Sequence, residues 1–301
     1  MKKIGVGIVT YNRKLLFIEC LNSLLNQSLK PDSIYILDNN SNDGTSEYII
    51  DNFFKNQKIN FNNWQQSNEL KFLFYKKLDK NGGSSLGFYE LTKKIHEDGF
   101  EWLLITDDDV IFEKDYLKNI FEKVKNSNKK IFLSYMVNNF NDLKIKGTSP
   151  LFAGGVISRE IFDLIGFPVK DYFIYWDDVE FIIRYKKINI EEEIVENAFC
   201  IHDQSKLYKN YQIKKVNFFG KVIEFSNVSQ WKIYYAYRNM VITLLKHKKY
   251  LELFIKIIKS LAKVILQIFW GEFYKSYLIL YGLKDGFLNK RGKNERLDYS
   301  K

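Results

Sequence analysis

The stretch Glu101-Trp-Leu-Leu-Ile-Thr-Asp107-Asp108-Asp109-Val110 limits what this chain can fold into more than any other. Trp102, Leu103, Leu104 and Ile105 form a continuous apolar run of the kind buried on both faces of a sheet, and three carboxylates follow at once. Adjacent carboxylates repel, so they stay solvated or share a cation, and hard oxygen ligands suit Mg2+ or Mn2+. Side chains alternate along an extended backbone, which lets Asp107 and Asp109 share one side while Asp108 takes the other. Two readings are open: an acidic loop solvated at the head of the next helix, near Glu113 and Asp115, or a two-carboxylate clamp. The end of a core strand is where open α/β sheets bind ligands, which favours the clamp.

The rest of the chain up to about residue 205 supplies a sheet around that strand. Residues 4–10 are β-branched enough for a first buried strand, with Tyr11-Asn12-Arg13 as its C-terminal turn, and residues 15–25 have helical apolar spacing. Pro31 interrupts, residues 34–37 read as a second strand, and residues 38–44 form a loop dense in turn residues, with Thr45 or Ser46 as the cap of a helix. Residues 55–70 read as an irregular polar insertion and 71–75 as a third strand. The small-residue loop 81–87 leads to a helix at about 88–98 that Gly99 ends. Strands alternating with helices imply an α/β fold with a mostly parallel sheet. Further strands are expected at 131–135 and 194–201, with an extended segment at 152–157 and a helix from Arg159 capped by Ser158. A helix starting at Asp177 follows the acid-rich, aromatic run Tyr172-Phe-Ile-Tyr-Trp176-Asp177-Asp178-Val-Glu180.

After Gln204 the composition shifts toward Lys, Tyr and Phe, so we expect a domain of residues 1–215 and a helical region of 216–301 with helices near 230–246 and 250–270. In the second of these, Lys256, Lys259 and Lys263 leave Leu251, Phe254, Ile258 and Ile265 among the apolar sides, an amphipathic, basic helix that can pack on the main domain, dock on anionic membrane, or do both. No run reaches the length of uncharged apolar residues that a spanning helix needs. The net charge of +10 points to phosphate-bearing partners without choosing among lipid, nucleotide and nucleic acid. Two cysteines, Cys20 and Cys200, argue against a disulfide framework and for a reducing compartment, and Met1-Lys2-Lys3 leads into a strand with no signal peptide of the usual form.

Taken together, these motifs resemble family 2 glycosyltransferases of the GT-A fold, and within them the galactofuranosyl- and rhamnosyltransferase branch; the likeness covers roughly residues 4–205, with a weaker echo in Trp231 to Asn239. The resemblance implies a GT-A nucleotide-sugar-binding domain with a C-terminal helical appendage. It gives Thr10, Tyr11, Asn12 and Arg13 to the donor nucleotide, Asp38 to its base, and Asn39, Asn81, Gly83, Asp107 and Asp108 to the donor site more widely. Asn81 to Phe88 align on the family's glycine loop, with Ser84 and Leu86 standing where glycines are usual, which alters the sugar-facing surface. Asp107 and Asp109 match the metal-binding Asp-x-Asp. His202 matches a late histidine that completes metal coordination, although a lone histidine is also commonly structural. Asp178 matches the base that deprotonates the acceptor hydroxyl, with Trp176 and Asp177 on the acceptor side, although acids at a helix N-terminus are common for other reasons.

The expected activity is therefore an inverting transfer, dependent on Mn2+ or Mg2+, from a nucleotide-diphosphate sugar to a hydroxyl of a lipid-linked surface glycan. UDP-galactofuranose is the first donor expected and dTDP-rhamnose the second, with the protein cytoplasmic and peripheral on the inner face of the membrane, a homo-oligomer possible, and no nucleic acid partner. A metal-dependent nucleotidyltransferase would show a Gly-rich basic loop where Thr10-Tyr-Asn-Arg stands, and a Walker-type kinase needs a Gly-x4-Gly-Lys-Ser/Thr that does not occur. A basic RNA-binding protein would expose its aromatics among lysines on one surface.

Overall fold

The computed structural model describes residues 3–61, 63–141, 143–202, 214–218, 221–225, 229–297 and 299. Contacts divide the chain into two compact units, Met1–Lys170 with Asp178–Asp203, and Asp171–Asp177 with Gln204–Lys301. Residues 203–213, leading up to the expected boundary between residues 215 and 216, lie outside the described residues.

The first unit opens as strand, helix, strand, helix: β1 (Ile4–Thr10), α1 (Lys14–Leu25), β2 (Ser33–Asp38), α2 (Thr45–Phe53). It continues through β3 (Gln65–Gln66), β4 (Leu73–Lys77), α3 (Gly83–Glu97), β5 (Trp102–Asp107), β6 (Val110–Phe112) and α4 (Tyr116–Lys125). Its last elements are β7 (Ile131–Val137), β8 (Ile145–Thr148), β9 (Val156–Ser158), α5 (Arg159–Ile165), α6 (Asp177–Lys187) and β10 (Glu193–His202). The sheet runs β3-β4-β2-β1-β5-β9-β7-β10-β6, with β8 on β7. Its half β4-β2-β1-β5 is parallel, as helical crossovers require, and beyond β5 it turns antiparallel through β9 and again at the β10–β6 pair.

Alternation along β1 sorts the two layers over the sheet. Val6 and Ile8 pack with Phe17, Leu21 and Leu24 of α1 on one face. On the other face Val9 packs with Phe88, Leu91 and Ile95 of α3, and Gly5 and Gly7 let that helix approach closely. A Cβ on Gly5 would stand 2.3 Å from Ile95 Cγ2. All seven residues of β1 and all six of β2 are buried, the signature of strands covered on both faces.

Four local expectations change. The third strand begins two residues later than expected, at Leu73, and the extended segment shrinks to β9, with residues 151–154 in turns. The helix after the glycine loop starts at Gly83, not near residue 88, because Asn39 Oδ1 and Asn81 Oδ1 accept from the N–H groups of Gly82 and Gly83. Its apolar periodicity begins only after that small-residue first turn, so spacing could not reveal it. At α2 neither Thr45 nor Ser46 is the cap residue. Gly44 is, in the left-handed region at φ +85, and Asp43 Oδ1 accepts from both the N–H and the hydroxyl of Thr45.

The second unit holds a hairpin of β11 (Lys214–Phe218) and β12 (Lys221–Phe225), then α7 (Trp231–Lys246), α8 (Tyr250–Phe269) and α9 (Phe273–Phe287). Its core joins Val241 and Leu244 of α7, Leu253 and Val264 of α8, and Ile279 of α9. No helix among the described residues is long and apolar enough to cross a membrane.

Candidate active site

The register of the sheet, not proximity in sequence, assembles the acidic centre. β10 pairs antiparallel with β6 so that His202 stands opposite Val110, next to Asp109. His202 Nε2 lies 3.2 Å from Asp109 Oδ1, and one ligand atom from each of Asp107, Asp109 and His202 falls within a 4.8 Å cluster. Two carboxylate oxygens and an imidazole nitrogen that close together suit a divalent cation.

Asp108 turns the other way and ties two strand ends together. Its Oδ2 accepts from the Thr10 hydroxyl at 2.8 Å and the Tyr11 N–H at 3.3 Å, while its Oδ1 accepts from Arg13 at 3.0 Å. The same guanidinium reaches Asp109 Oδ2 at 3.3 Å. Burial, then the neighbouring Asp109, pushes the Asp107 carboxyl up to about 7 against the pull of Arg13. Burial likewise lifts Asp108 to about 6, with Arg13 opposing. Burial also works against Asp109, but its pairing with His202 outweighs it and holds the carboxyl below its usual range. His202 in turn is raised, since Asp109 overcomes the burial that would lower it. The buried carboxylates of Asp108 and Asp109 and the half-buried one of Asp107 thus face Arg13 and His202, an excess of negative charge that an added cation would relieve.

The loops beside this cluster carry the remaining residues that the resemblance assigns to a donor site. Asn12, at φ +52, takes Ser41 Oγ on its N–H at 3.0 Å and offers Oδ1 to the Asn42 N–H at 2.7 Å. Asn39 donates its N–H to Thr10 O at 2.8 Å and accepts from Gly82, so β1, β2 and the start of α3 are laced at one end of the sheet. Asp38 is fully buried, and its carboxylate accepts from the Ser41 N–H, the Ser46 hydroxyl and Tyr75 OH at 2.7, 2.8 and 3.2 Å. Lys77 Nζ then donates to Ser41 O and Ser46 Oγ. Ser41, Ser46 and Lys77 were not anticipated as loop-shaping residues. Serine and lysine are too common at surfaces to stand out by type.

Asp178 sits in the first turn of α6. Burial raises its carboxyl, and it accepts from the Val179 N–H at 2.7 Å. Two residues on, Glu180 is fully buried and bonds Arg184 Nε at 2.9 Å, and that guanidinium donates to the carbonyls of Ile165, Gly166 and Phe167. Glu180 therefore fixes α6 against the end of α5. Trp176 and Asp177 belong to the other unit. There Phe173, Tyr175 and Trp176 all hold left-handed φ values near +70, a strained run for non-glycine residues. Asn239 Nδ2 caps that run, reaching the carbonyls of Tyr172, Ile174 and Tyr175 at 3.0, 2.8 and 3.0 Å, while Arg238 adds a 2.7 Å bond to Tyr172 O. Trp176 lies beneath Lys256, whose Nζ is 5.6 Å from the ring centroid.

The model of the family described as Glycosyl transferase family 2 matches residues 5–180. No curated protein matches the chain at a significant level. Among solved structures, that of Staphylococcus aureus TarS 1-349 in complex with UDP is 16% identical with a TM-score of 0.52, covering 81% of this chain and 65% of its own. The chain thus spans just under two thirds of the length of that relative. A mannosyltransferase from Pyrobaculum calidifontis, solved with GDP-Man and Mn2+, is also 16% identical, with a TM-score of 0.50 over 95% of this chain and 73% of its own. At such identities these likenesses show a shared fold.

Proposed function

This chain belongs to glycosyl transferase family 2, and we propose that it transfers a sugar, with inversion, from a nucleotide-diphosphate donor to a hydroxyl of a lipid-linked glycan at the cytoplasmic face of a membrane. The observation that carries this reading is the convergence of Asp107, Asp109 and His202 at the end of a core strand of the α/β sheet, where such sheets bind ligands. UDP-galactofuranose is our first donor and dTDP-rhamnose our second, since the Asp107-Asp108-Asp109 and Trp176-Asp177-Asp178 features resemble both groups.

In this reading Asp107, Asp109 and His202 hold the cation, and their mixed oxygen and nitrogen set favours Mn2+ over Mg2+. When bound, the cation neutralises the charge that builds on the diphosphate leaving group. Thr10, Tyr11, Asn12 and Arg13 form the floor of the donor site, whose geometry Asp108 fixes through its bonds to Thr10 and Arg13. Asn39, Asn81 and Gly83 set the first turn of α3 beside it. Asp38 contributes by shaping the loop at 38–46, because its own chain already supplies its hydrogen bonds. Asp178 takes the proton of the acceptor hydroxyl as that oxygen bonds to the anomeric carbon and the carbon–oxygen bond to the diphosphate breaks. Burial suits it, because a raised carboxyl is a stronger base once ionised. Trp176 and Asp177 orient the acceptor.

The test is purified protein with Mn2+ and a panel of UDP- and dTDP-sugars, scored for release of the nucleoside diphosphate with and without acceptor. Turnover of one donor supports the reading. No binding of any nucleoside diphosphate in the presence of Mn2+ would sink it.

A further inference from the structure

Helix α8 is inside out for a helix in water. Its inward side carries Ser260 and Gln267 beside Leu253 and Val264, all buried. Outward stand Leu251, Phe254, Ile258, Leu261, Ile265 and Phe269, at steps of three and four residues that make one stripe. Leu251 is 75% exposed and Phe269, at the turn into α9, is 82%. Phe273 opens α9 on the far side of that turn at 65%, and Tyr277 follows one turn on, also exposed. Solvent alone gives no reason for such a stripe, and contiguous apolar exposure of this kind marks an interaction surface.

Charge narrows the partner. Residues 248–290 hold eight lysines against Glu252, Glu272 and Asp285. Lys259 edges the α8 stripe beside Ile255, and Lys284 stands on the exposed side of α9; neither makes an ion pair among the described residues, whereas Lys256 pairs with Glu252 and lies over the Trp176 ring. An apolar stripe edged by lysines is the pattern of a helix lying in the plane of an anionic bilayer, chains below and headgroup phosphates at the edge. A second copy of the chain would bring like charges together. Single-stranded nucleic acid needs aromatic faces for its bases, whereas Leu and Ile predominate on α8.

We propose that α8 and its turn into α9 form a membrane-docking surface, in which the stripe from Leu251 to Phe269, with Phe273, enters the headgroup–acyl boundary of an anionic phospholipid bilayer and the flanking lysines meet its phosphates. This deepens the reading of a lipid-linked acceptor and rests on it for its biological sense, while its physical content stands apart from catalysis. The helix lies on the membrane and does not span it, since three lysines interrupt it.

The experiment uses the full chain, sedimented with sucrose-loaded vesicles of mixed phosphatidylglycerol and phosphatidylcholine, and of phosphatidylcholine alone. The wild type is expected to sediment with the mixed vesicles and far less with the neutral ones. Phe254→Ser, Ile258→Ser, Phe269→Ser and Phe273→Ser combined should lower partitioning by about a hundredfold or more. Lys259→Gln and Lys284→Gln should each lower it by about fivefold. All six positions are exposed, and unchanged far-UV circular dichroism and urea midpoints verify that the variants fold. The proposal is overturned if the fourfold variant partitions like the wild type, if the stripe proves to hold a dimer in sedimentation equilibrium that the same variant dissociates, or if RNA displaces the wild type from vesicles by binding the stripe. Calorimetry with UDP, dTDP and Mn2+ on the same samples separates the two readings: nucleotide binding without vesicle binding refutes the docking surface alone, and vesicle binding without nucleotide binding supports it while refuting the glycosyltransferase reading.

Discussion

His202 Nε2 stands 3.2 Å from Asp109 Oδ1, and the two residues enter the cluster from antiparallel neighbours at the edge of the sheet. Asp109 Oδ1 is buried without a hydrogen-bond partner among the described residues, an open oxygen ligand beside the imidazole where a divalent cation would fit.

Asp109→Ala is expected to abolish Mn2+-dependent binding of UDP or dTDP. His202→Ala should weaken it by at least about tenfold, on the scale seen when a ligand's support is lost. Titration calorimetry with and without Mn2+ checks both. Unchanged Mn2+-dependent affinity in Asp109→Ala would refute the clamp.

Asp178→Asn should lower turnover by about 10^2- to 10^4-fold while donor and Mn2+ still bind, because only proton acceptance is removed. If Asp177→Asn abolishes turnover and Asp178→Asn stays within a few fold, the base is misassigned by one residue.

The pH profile follows from the raised Asp178 carboxyl. Its folded-state pKa lies above the ordinary aspartate value of about 4, so the group stays protonated to higher pH than a surface carboxyl. Only the ionised form accepts a proton, so activity falls as pH drops through that raised pKa. The acid limb of kcat/KM should therefore sit above the usual carboxylate range. A limb at or below about 4 would contradict this. The sign for stability is opposite: burying the ionised group costs the fold, so this contribution is favourable at low pH and is lost as pH rises through the folded-state value.

Fully buried Glu180 pairs with half-buried Arg184, whose guanidinium also satisfies three carbonyls. Glu180→Ala should destabilise the first unit by about 3–5 kcal/mol, since it leaves a desolvated cation without its partner. Urea unfolding, combined with Arg184→Ala in a double-mutant cycle, measures the coupling. A loss below about 1 kcal/mol would place the pair among weak surface contacts.

Asn239→Ala removes three hydrogen bonds from a run in which Phe173, Tyr175 and Trp176 hold left-handed backbone. With about 1 kcal/mol for each bond and carbonyls left unpaired, the expected loss is about 2–4 kcal/mol. A matching fall in the protection of amides near 172–176 from hydrogen exchange would localise it, and unchanged exchange there would count against the clamp.

Much of this was legible in the residues themselves. The apolar run at 102–105 identified a strand covered on both faces, because no half-exposed strand can carry four such residues in succession. The alternation of strand and helix up to that point dictated parallel pairing. These are local properties, written in periodicities of two and 3.6. The grouping of Asp107 with Asp109, by contrast, is not a matter of strand alternation, since β5 ends at Asp107 and both Asp108 and Asp109 lie in the turn before β6, with Arg13 bonding the two of them. The start of α3 was hidden because its first turn consists of small residues whose helical state depends on acceptors from Asn39 and Asn81. The outward face of α8 was hidden for a different reason: an amphipathic pattern says that a helix has two sides, not which one faces the protein, and here α7 and α9 cover the side with Ser260 and Gln267. Only the tertiary structure could bring His202 to Asp109, because that contact depends on the register between β10 and β6, which is set by the packing of the whole sheet and leaves no mark in the residues around either side chain.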